Sequence, residues 1–292
     1  MQLRRRGDVT CPLHSWWRLT ALIHHYTDAT GLIGIIESKV IRATSAWFMN
    51  DAAEATFGWE QVERFIASKA GKPESEERVL GFILDAIHGL RDRNDFPDSY
   101  ISCFSQKADL LSQWRAYGHG NGFSIGFDQS TVDELAQAIS PAMPPPATRK
   151  VAYTQAEYDM MLDSHYHREV ASQLSRTDLT AVTLAHNFVY WAILTAPSIK
   201  HHAFQEEAEV RLHFFGSNPI YEVSFRSSAM GVTPYIEMPL CKSKDGPITA
   251  IREVIIGPQR HSAEARRAVQ KLLSRNGLED VTVKTSQVPL RA

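Results

Sequence analysis

Hydrophobic and polar positions alternate most cleanly from Ala208 onward, where Ala208, Val210, Leu212 and Phe214 interleave with Glu207, Glu209, Arg211 and His213. Period two marks a strand with one face in a core. Shorter apolar runs predict strands over 21–26, 40–44, 100–105, 123–127, 251–256 and 281–285, with Gly257-Pro258 stopping the fifth. Helical spacing governs 27–38, with Leu32, Ile35 and Ile36 on one side, and the stretch after Asn50-Asp51 that carries Phe57, Val62, Phe65 and Ile66. Gly71-Lys72-Pro73 breaks that helix and 76–90 forms another. Leu110, Trp114 and Tyr117 share a helical face that Gly118 can close in the left-handed conformation. Residues 157–194 are mostly helical and end before Pro197, and the amphipathic 262–276 ends at Gly277.

Proline lacks the amide donor that helices and central strands require, so the run from Pro141 to Pro146 predicts a connector over 141–150. Strands and helices mix without steady alternation, which argues for an α+β fold with a mostly antiparallel sheet and flanking helices. The expected organisation is a leader over 1–20, then one domain over 21–292 with a helical insertion at about 155–196.

Composition narrows the function classes. The 292 residues are 43% hydrophobic and carry a formal net charge of −2, which excludes disorder and gives no whole-surface attraction to nucleic acid or to an anionic membrane. Cys11, Cys103 and Cys241 are too few and too scattered for a disulfide framework or a zinc ribbon. Arg4-Arg5-Arg6 is followed by an apolar stretch that Asp8, Thr10, His14 and Ser15 interrupt, unlike a signal peptide, and no window approaches a membrane span. The expected setting is the cytoplasm.

Candidate chemistry concentrates in a few blocks. Glu207, Glu209 and Arg211 at i, i+2 and i+4 of a strand leave one face. That face is either a solvated one in which Arg211 offsets the glutamates, or a carboxylate pair on a rigid support, one acid stabilising positive charge while its neighbour orients the acceptor. His24-His25-Tyr26-Thr27 ends a strand where side chains can meet a ligand, although Thr27 or Asp28 also suits a helix cap. Asp51 and Glu54 have the spacing of a capping-box variant. Gly118-His-Gly-Asn-Gly122 follows a helix and precedes a strand, the reverse of a dinucleotide-binding loop. Ser102 and Ser105 lack a nucleophile elbow, and the twelve histidines show no zinc spacing, so no metal is expected. Trp114 and Tyr117 lie on an apolar stripe that suits core packing.

Taken in order, the motif blocks resemble a bacterial family catalogued as domain of unknown function 2971. They are His25-Tyr26-Thr27 with Gly31-Leu32 and Ile35; Ala43-Thr44 and Asn50-Asp51-x-x-Glu54; and Cys103-Phe104-Ser105, Trp114, Tyr117, Gly118 and 122–127. Val151-Ala-Tyr153, Lys200-His201, Phe204-x-x-Glu207-x-Glu209-x-Arg211 and Ile256-Gly257-Pro258 complete the series. Their order looks like a divergent ADP-ribosyltransferase, which implies a split antiparallel sheet and NAD as substrate. Carried over, His25 and Tyr26 hold NAD with Thr27, Trp114, Tyr117 and Arg211 in the cofactor-binding set, and Ser105 supports the site. Glu209 is then the catalytic acid and Glu207 orients or deprotonates the nucleophile, with Glu206 a further candidate. The central strand reads Ser102-Cys-Phe-Ser105 where that superfamily has Ser-Thr-Ser.

The resemblance implies transfer of ADP-ribose to a protein or nucleic-acid acceptor, or NAD hydrolysis, in phage defence or as a toxin-like effector with a possible antitoxin. A catalytically silent sensor or protein-binding module of a defence system is the alternative.

Overall fold

The structure is a computed structural model that describes residues 22–49, 52–93, 98–118, 120–140, 145–215, 222–243 and 246–289. The leader, the Asp51–Glu54 capping pattern and residues 141–144 of the proline run lie outside the described residues or side chains. Strand β1 (Leu22–Thr27) passes into helix α1 (Ala29–Ser38), whose cap is Asp28: its Oδ1 accepts from Gly31 N at 2.8 Å. Then follow β2 (Val40–Ser45), α2 (Ala52–Ser68), α3 (Glu74–Asp92), β3 (Ser99–Ser105), α4 (Leu111–Tyr117), β4 (Phe123–Asp128) and α5 (Gln129–Ala138). The chain continues through β5 (Ala147–Lys150), α6 (Gln155–Glu169), α7 (Ala181–Thr195), β6 (Glu209–Phe215), β7 (Ser224–Ser228) and β8 (Gly231–Pro239). It closes with β9 (Ile251–Ile256), α8 (Ser262–Arg275) and β10 (Thr282–Thr285).

The strands form one open sheet of order β10-β9-β4-β1-β3-β2-β8-β7, with β6 joined to β3 and β5 joined to β6. Every named pair is antiparallel except β9 with β10. The fold is therefore mixed, with a mostly antiparallel sheet and flanking helices, as the pattern predicts. β6 runs along the whole of β3, from Ser99 opposite Phe215 to Ser105 opposite Glu209. The opposite edge of β3 is shared: β2 meets it at Tyr100 and Ile101, and β1 only at Ser105, opposite His24. Between those contacts β1 and β2 diverge, and side chains take over the hydrogen bonding. His25 Nδ1 lies 2.9 Å from the Cys103 carbonyl, and Ser102 Oγ donates to the Arg42 carbonyl at 2.8 Å.

One face of the sheet packs Phe127, Phe214, Val210, Leu212, Ile125 and Val254 against Leu32 and Ile36 of α1, Val132 and Leu135 of α5, and Val269 and Leu273 of α8. A second core lies among the helices. Val62 and Ile66 of α2, Ile83 and Ile87 of α3, Leu162 of α6 and Phe188 of α7 are all buried in it. Two separate chain segments thus build the helical part, 52–92 together with 155–199, because α2 and α3 present apolar stripes that only α6 and α7 complete.

Three local expectations are corrected. Residues 147–150 of the predicted connector form β5, held by β6 and by Asp133 Oδ1, which accepts from Thr148 N at 2.7 Å; this part of the run has no proline to forbid pairing. Gly118 has φ −87° and is not left-handed. A side chain there is excluded by contact, since a Cβ would lie 2.6 Å from Trp114 O, and at Gly122 it would lie 2.4 Å from Gly118 Cα. The strand expected from Ala208 begins at Glu209, because Ala208 is left-handed at φ 44° and turns the chain out of the strand.

Candidate functional site

That turn changes the geometry of the acidic block. Glu207 ends a 3-10 segment, His202–Glu207, so it does not share a strand face with Glu209, and the two carboxylates meet by another route. Lys200 Nζ donates to Glu207 Oε2 at 2.7 Å and to Glu209 Oε2 at 3.3 Å. Arg211 Nε donates to Glu209 Oε1 at 2.8 Å and Nη2 to Glu209 Oε2 at 2.9 Å, while Nη1 donates to the Pro197 carbonyl at 2.6 Å. The solvated reading of this face is also corrected. Arg211 is 2% exposed and Glu209 7%, since the helical part covers this side of the sheet.

Packing around the cluster explains how it is held. Ala152 N donates to Ser198 O and Lys200 N to Ala152 O, which lays 196–200 beside 152. The Tyr158 hydroxyl sits between the carbonyls of Tyr153 and Lys200 at 2.6 and 2.7 Å, and α6, which carries it, starts on a capping box of Thr154 and Glu157. The Tyr153 hydroxyl accepts from Glu209 N at 2.9 Å. Ser105 Oγ donates to the Glu207 carbonyl at 2.6 Å, tying the end of β3 to the acidic turn.

The electrostatics follow from these contacts. Burial raises the Glu209 pKa, but Arg211 and Lys200 outweigh it and hold the carboxyl at about 2. Glu209 is therefore ionised throughout the physiological range. The Cys103 thiol lies against Glu209, and burial together with that negative charge pushes its pKa well up, so it stays protonated. Tyr117, 37% exposed, borders the same cluster; burial of its ring and the nearby Cys103, Glu209 and Glu207 raise its hydroxyl to about 12. In a variant keeping only this cysteine, we expect Cys103 to react with Ellman's reagent at pH 8 at least about tenfold more slowly than free cysteine. Reaction at the free-thiol rate in the folded protein would contradict a protonated Cys103.

The structure brings together Glu209, Glu207, Arg211, Ser105 and Tyr117 from the sequence-derived set. Tyr26 and Trp114 form a neighbouring edge-to-face pair, centroids 4.7 Å apart, and Trp114 Nε1 donates to Asp109 Oδ1 at 2.7 Å. Thr27 is half-buried and packs against the first turn of α1, where a Cβ on Gly31 would lie 1.9 Å from its Oγ1. His25 stands apart. It lies in register with Ile125 on the apolar-core face, while its neighbour His24 is opposite Ser105 on the face of Glu209. Burial lowers the His25 pKa, and its Nδ1 proton is directed to the Cys103 carbonyl. Cys103, Tyr153 and Lys200 carry site contacts without having been singled out, although each lies within a motif block of the family resemblance.

Among the described residues no three His, Cys, Asp or Glu side chains gather as a metal site requires, and no helix is long and apolar enough to cross a membrane. Residues 113–212 match a family described as a protein of unknown function, DUF2971, which agrees with the family resemblance read from the motif blocks. The matched segment runs from α4 into β6 and contains Tyr117, Tyr153, Lys200, Glu207, Glu209 and Arg211. Neither a curated protein nor a solved structure matches the chain.

Proposed function

We propose that the chain is an NAD-dependent ADP-ribosyltransferase or NAD-hydrolysing enzyme whose reaction centre is the Glu207–Glu209 cluster, acting in bacterial phage defence or growth arrest. The observation that supports this reading best is the register of the motif strands: Ser105 and Glu209 are directly opposed on β3 and β6, and β1 meets β3 at that same residue. Cleavage of the glycosidic bond leaves its electron pair on nicotinamide and positive charge at the anomeric carbon, which an acceptor atom or water then attacks. A carboxylate held ionised suits charge stabilisation and not proton exchange, so Glu209 takes the first role. Glu207, with 22% of its side chain exposed, is the group placed to orient or deprotonate the nucleophile. The partly exposed Tyr117 ring at the edge of the cluster offers a stacking surface.

The test is nicotinamide release from NAD by purified protein, with and without cell lysate as a source of acceptors. Glu209→Gln, checked for folding, is expected to lower release by at least about 100-fold, the scale of losing one charge-stabilising group. Equal turnover in wild type and variant sinks the assignment. Release by the pure protein identifies hydrolysis, and release that requires lysate identifies transfer.

A specific observation also favours a non-catalytic binding module. Both Glu209 oxygens are already engaged by Arg211, as in a structural ion pair. On that reading wild-type protein releases no nicotinamide in either condition.

A further inference from the structure

Beyond Glu209 the same sheet face continues into a second cluster, which the carboxylate site leaves unexplained. Arg149 of β5 stands directly opposite Arg211 of β6, and Ala147 opposite His213. Like charges facing each other across an antiparallel pair repel. Arg211 is offset by Glu209, but none of the described hydrogen bonds or ion pairs involves the Arg149 guanidinium. Asp133 acts on it through space, while its own Oδ1 and Oδ2 accept from Thr148 N and Oγ1. Arg168 of α6 also acts on Arg149, as a like charge. Its Nη2 lies 2.9 Å from His165 Nδ1, its Nε donates to Glu169 Oε1 at 2.5 Å, and its guanidinium lies 4.3 Å above the Trp191 ring. His165 stacks on the same indole with centroids 5.3 Å apart, so the indole and the His165 hydrogen bond together hold the guanidinium.

His213 supplies an independent pointer to a ligand. It is 4% exposed and its Nε2 lies 3.1 Å from Ser198 Oγ, yet its buried Nδ1 has no hydrogen-bond partner. Burial and the charges of Arg149 and Arg211 keep the ring neutral, with one proton; in the tautomer whose Nε2 accepts from the Ser198 hydroxyl, that proton sits on Nδ1. A buried donor without an acceptor is costly, and an anion beside two guanidinium groups would satisfy it.

We propose that Arg149, Arg168 and the His213 Nδ1–H form a binding site for a phosphate-type oxyanion, separate from the Glu209 cluster. Planar guanidinium forks match tetrahedral oxyanions through paired hydrogen bonds, and a neutral imidazole N–H adds a third donor. With 31% of the Arg168 side chain exposed, the anion has an approach from solvent. Asp133 and Glu169 lie at its margin and balance the cations, which sets the affinity below that of an all-cationic pocket. The phosphate group belongs either to the free ion or to a nucleotide.

The proposal does not rest on NAD chemistry, and its test contains no NAD. Full-length protein is titrated by calorimetry with inorganic phosphate and separately with AMP, at ionic strength held constant with sodium chloride. Saturable one-to-one binding is expected, weakened about tenfold or more in Arg149→Gln and in Arg168→Gln and unchanged in Arg275→Gln on the far helix α8. Tighter binding of AMP than of phosphate identifies a nucleotide site, and equal binding a site for the free ion. Arg168 is partly exposed, so its variant decides the matter should Arg149→Gln not fold. Absence of saturable binding to wild type, or unchanged affinity in a folded Arg168→Gln protein, overturns the proposal.

Discussion

Replacing Arg211 by Leu lowers the unfolding free energy by about 3–5 kcal/mol, the usual result of removing one member of a buried ion pair. The cost arises because Glu209, 7% exposed, loses the guanidinium that meets both of its oxygens, and the Pro197 carbonyl loses a donor. Lys200 at 3.3 Å compensates only in part, since it is also held by Glu207 at 2.7 Å. The double replacement Glu209→Gln with Arg211→Leu recovers part of the loss, because no charge is then stranded. The pH dependence carries the same signature. Glu209 titrates at about 2 in the folded protein and near 4.5 when unfolded, so its contribution is complete above 4.5 and is lost as pH falls toward 2. The difference amounts to roughly 3 kcal/mol. Urea unfolding at pH 6 and pH 3 measures both effects: the acid loss shrinks in the Arg211→Leu protein, and an unchanged acid loss contradicts the pairing.

Gly58→Ala is the second large effect, and it acts on the site from outside. A Cβ on Gly58 would lie 2.0 Å from the Ala196 carbonyl oxygen, a backbone atom that cannot rotate away. The α2 helix must then retreat from the turn at 196–198, at a cost of about 3 kcal/mol, the upper end of overpacking penalties. That turn supplies the Pro197 carbonyl to Arg211 and the Ser198 hydroxyl to His213, and leads to Lys200. Thermal unfolding is therefore expected to fall by several degrees, roughly 2–4 °C per kcal/mol for a domain above 150 residues. Gly34→Ala, where a Cβ meets nothing within 4 Å, is the matched control.

How much of this was legible in the sequence depended on whether the signal was local. Strands and helices with a regular apolar period, such as β6 and α8, were read close to their observed bounds because periodicity reports which side is buried. β7 and the start of β8 are not legible in this way: Phe225, Met230 and Val232 are exposed, so the tip of the hairpin lacks the one-sided apolar pattern of a buried strand, whereas Ile236 and Met238 farther along β8 are buried in the sheet core. The acidic block shows the other limit. Glu207, Glu209 and Arg211 could be named from spacing, but the turn at Ala208 and the ammonium of Lys200 that joins the two acids depend on chain brought in from elsewhere. His24 and His25 are adjacent in sequence, and only strand register reveals which one shares a face with Glu209.

The two-segment construction of the helical part also has a kinetic consequence. Val62, Ile66, Ile83 and Ile87 complete their burial only when Leu162 and Phe188 arrive, and three strands, β3, β4 and β5, are synthesised between the two sets. Assembly of this core must therefore wait for closure of a long loop, an entropic cost that local helix formation in 52–92 cannot offset. On a ribosome, α2 and α3 emerge as amphipathic helices with their apolar sides uncovered, and a chaperone that binds such sides has its opportunity in that interval.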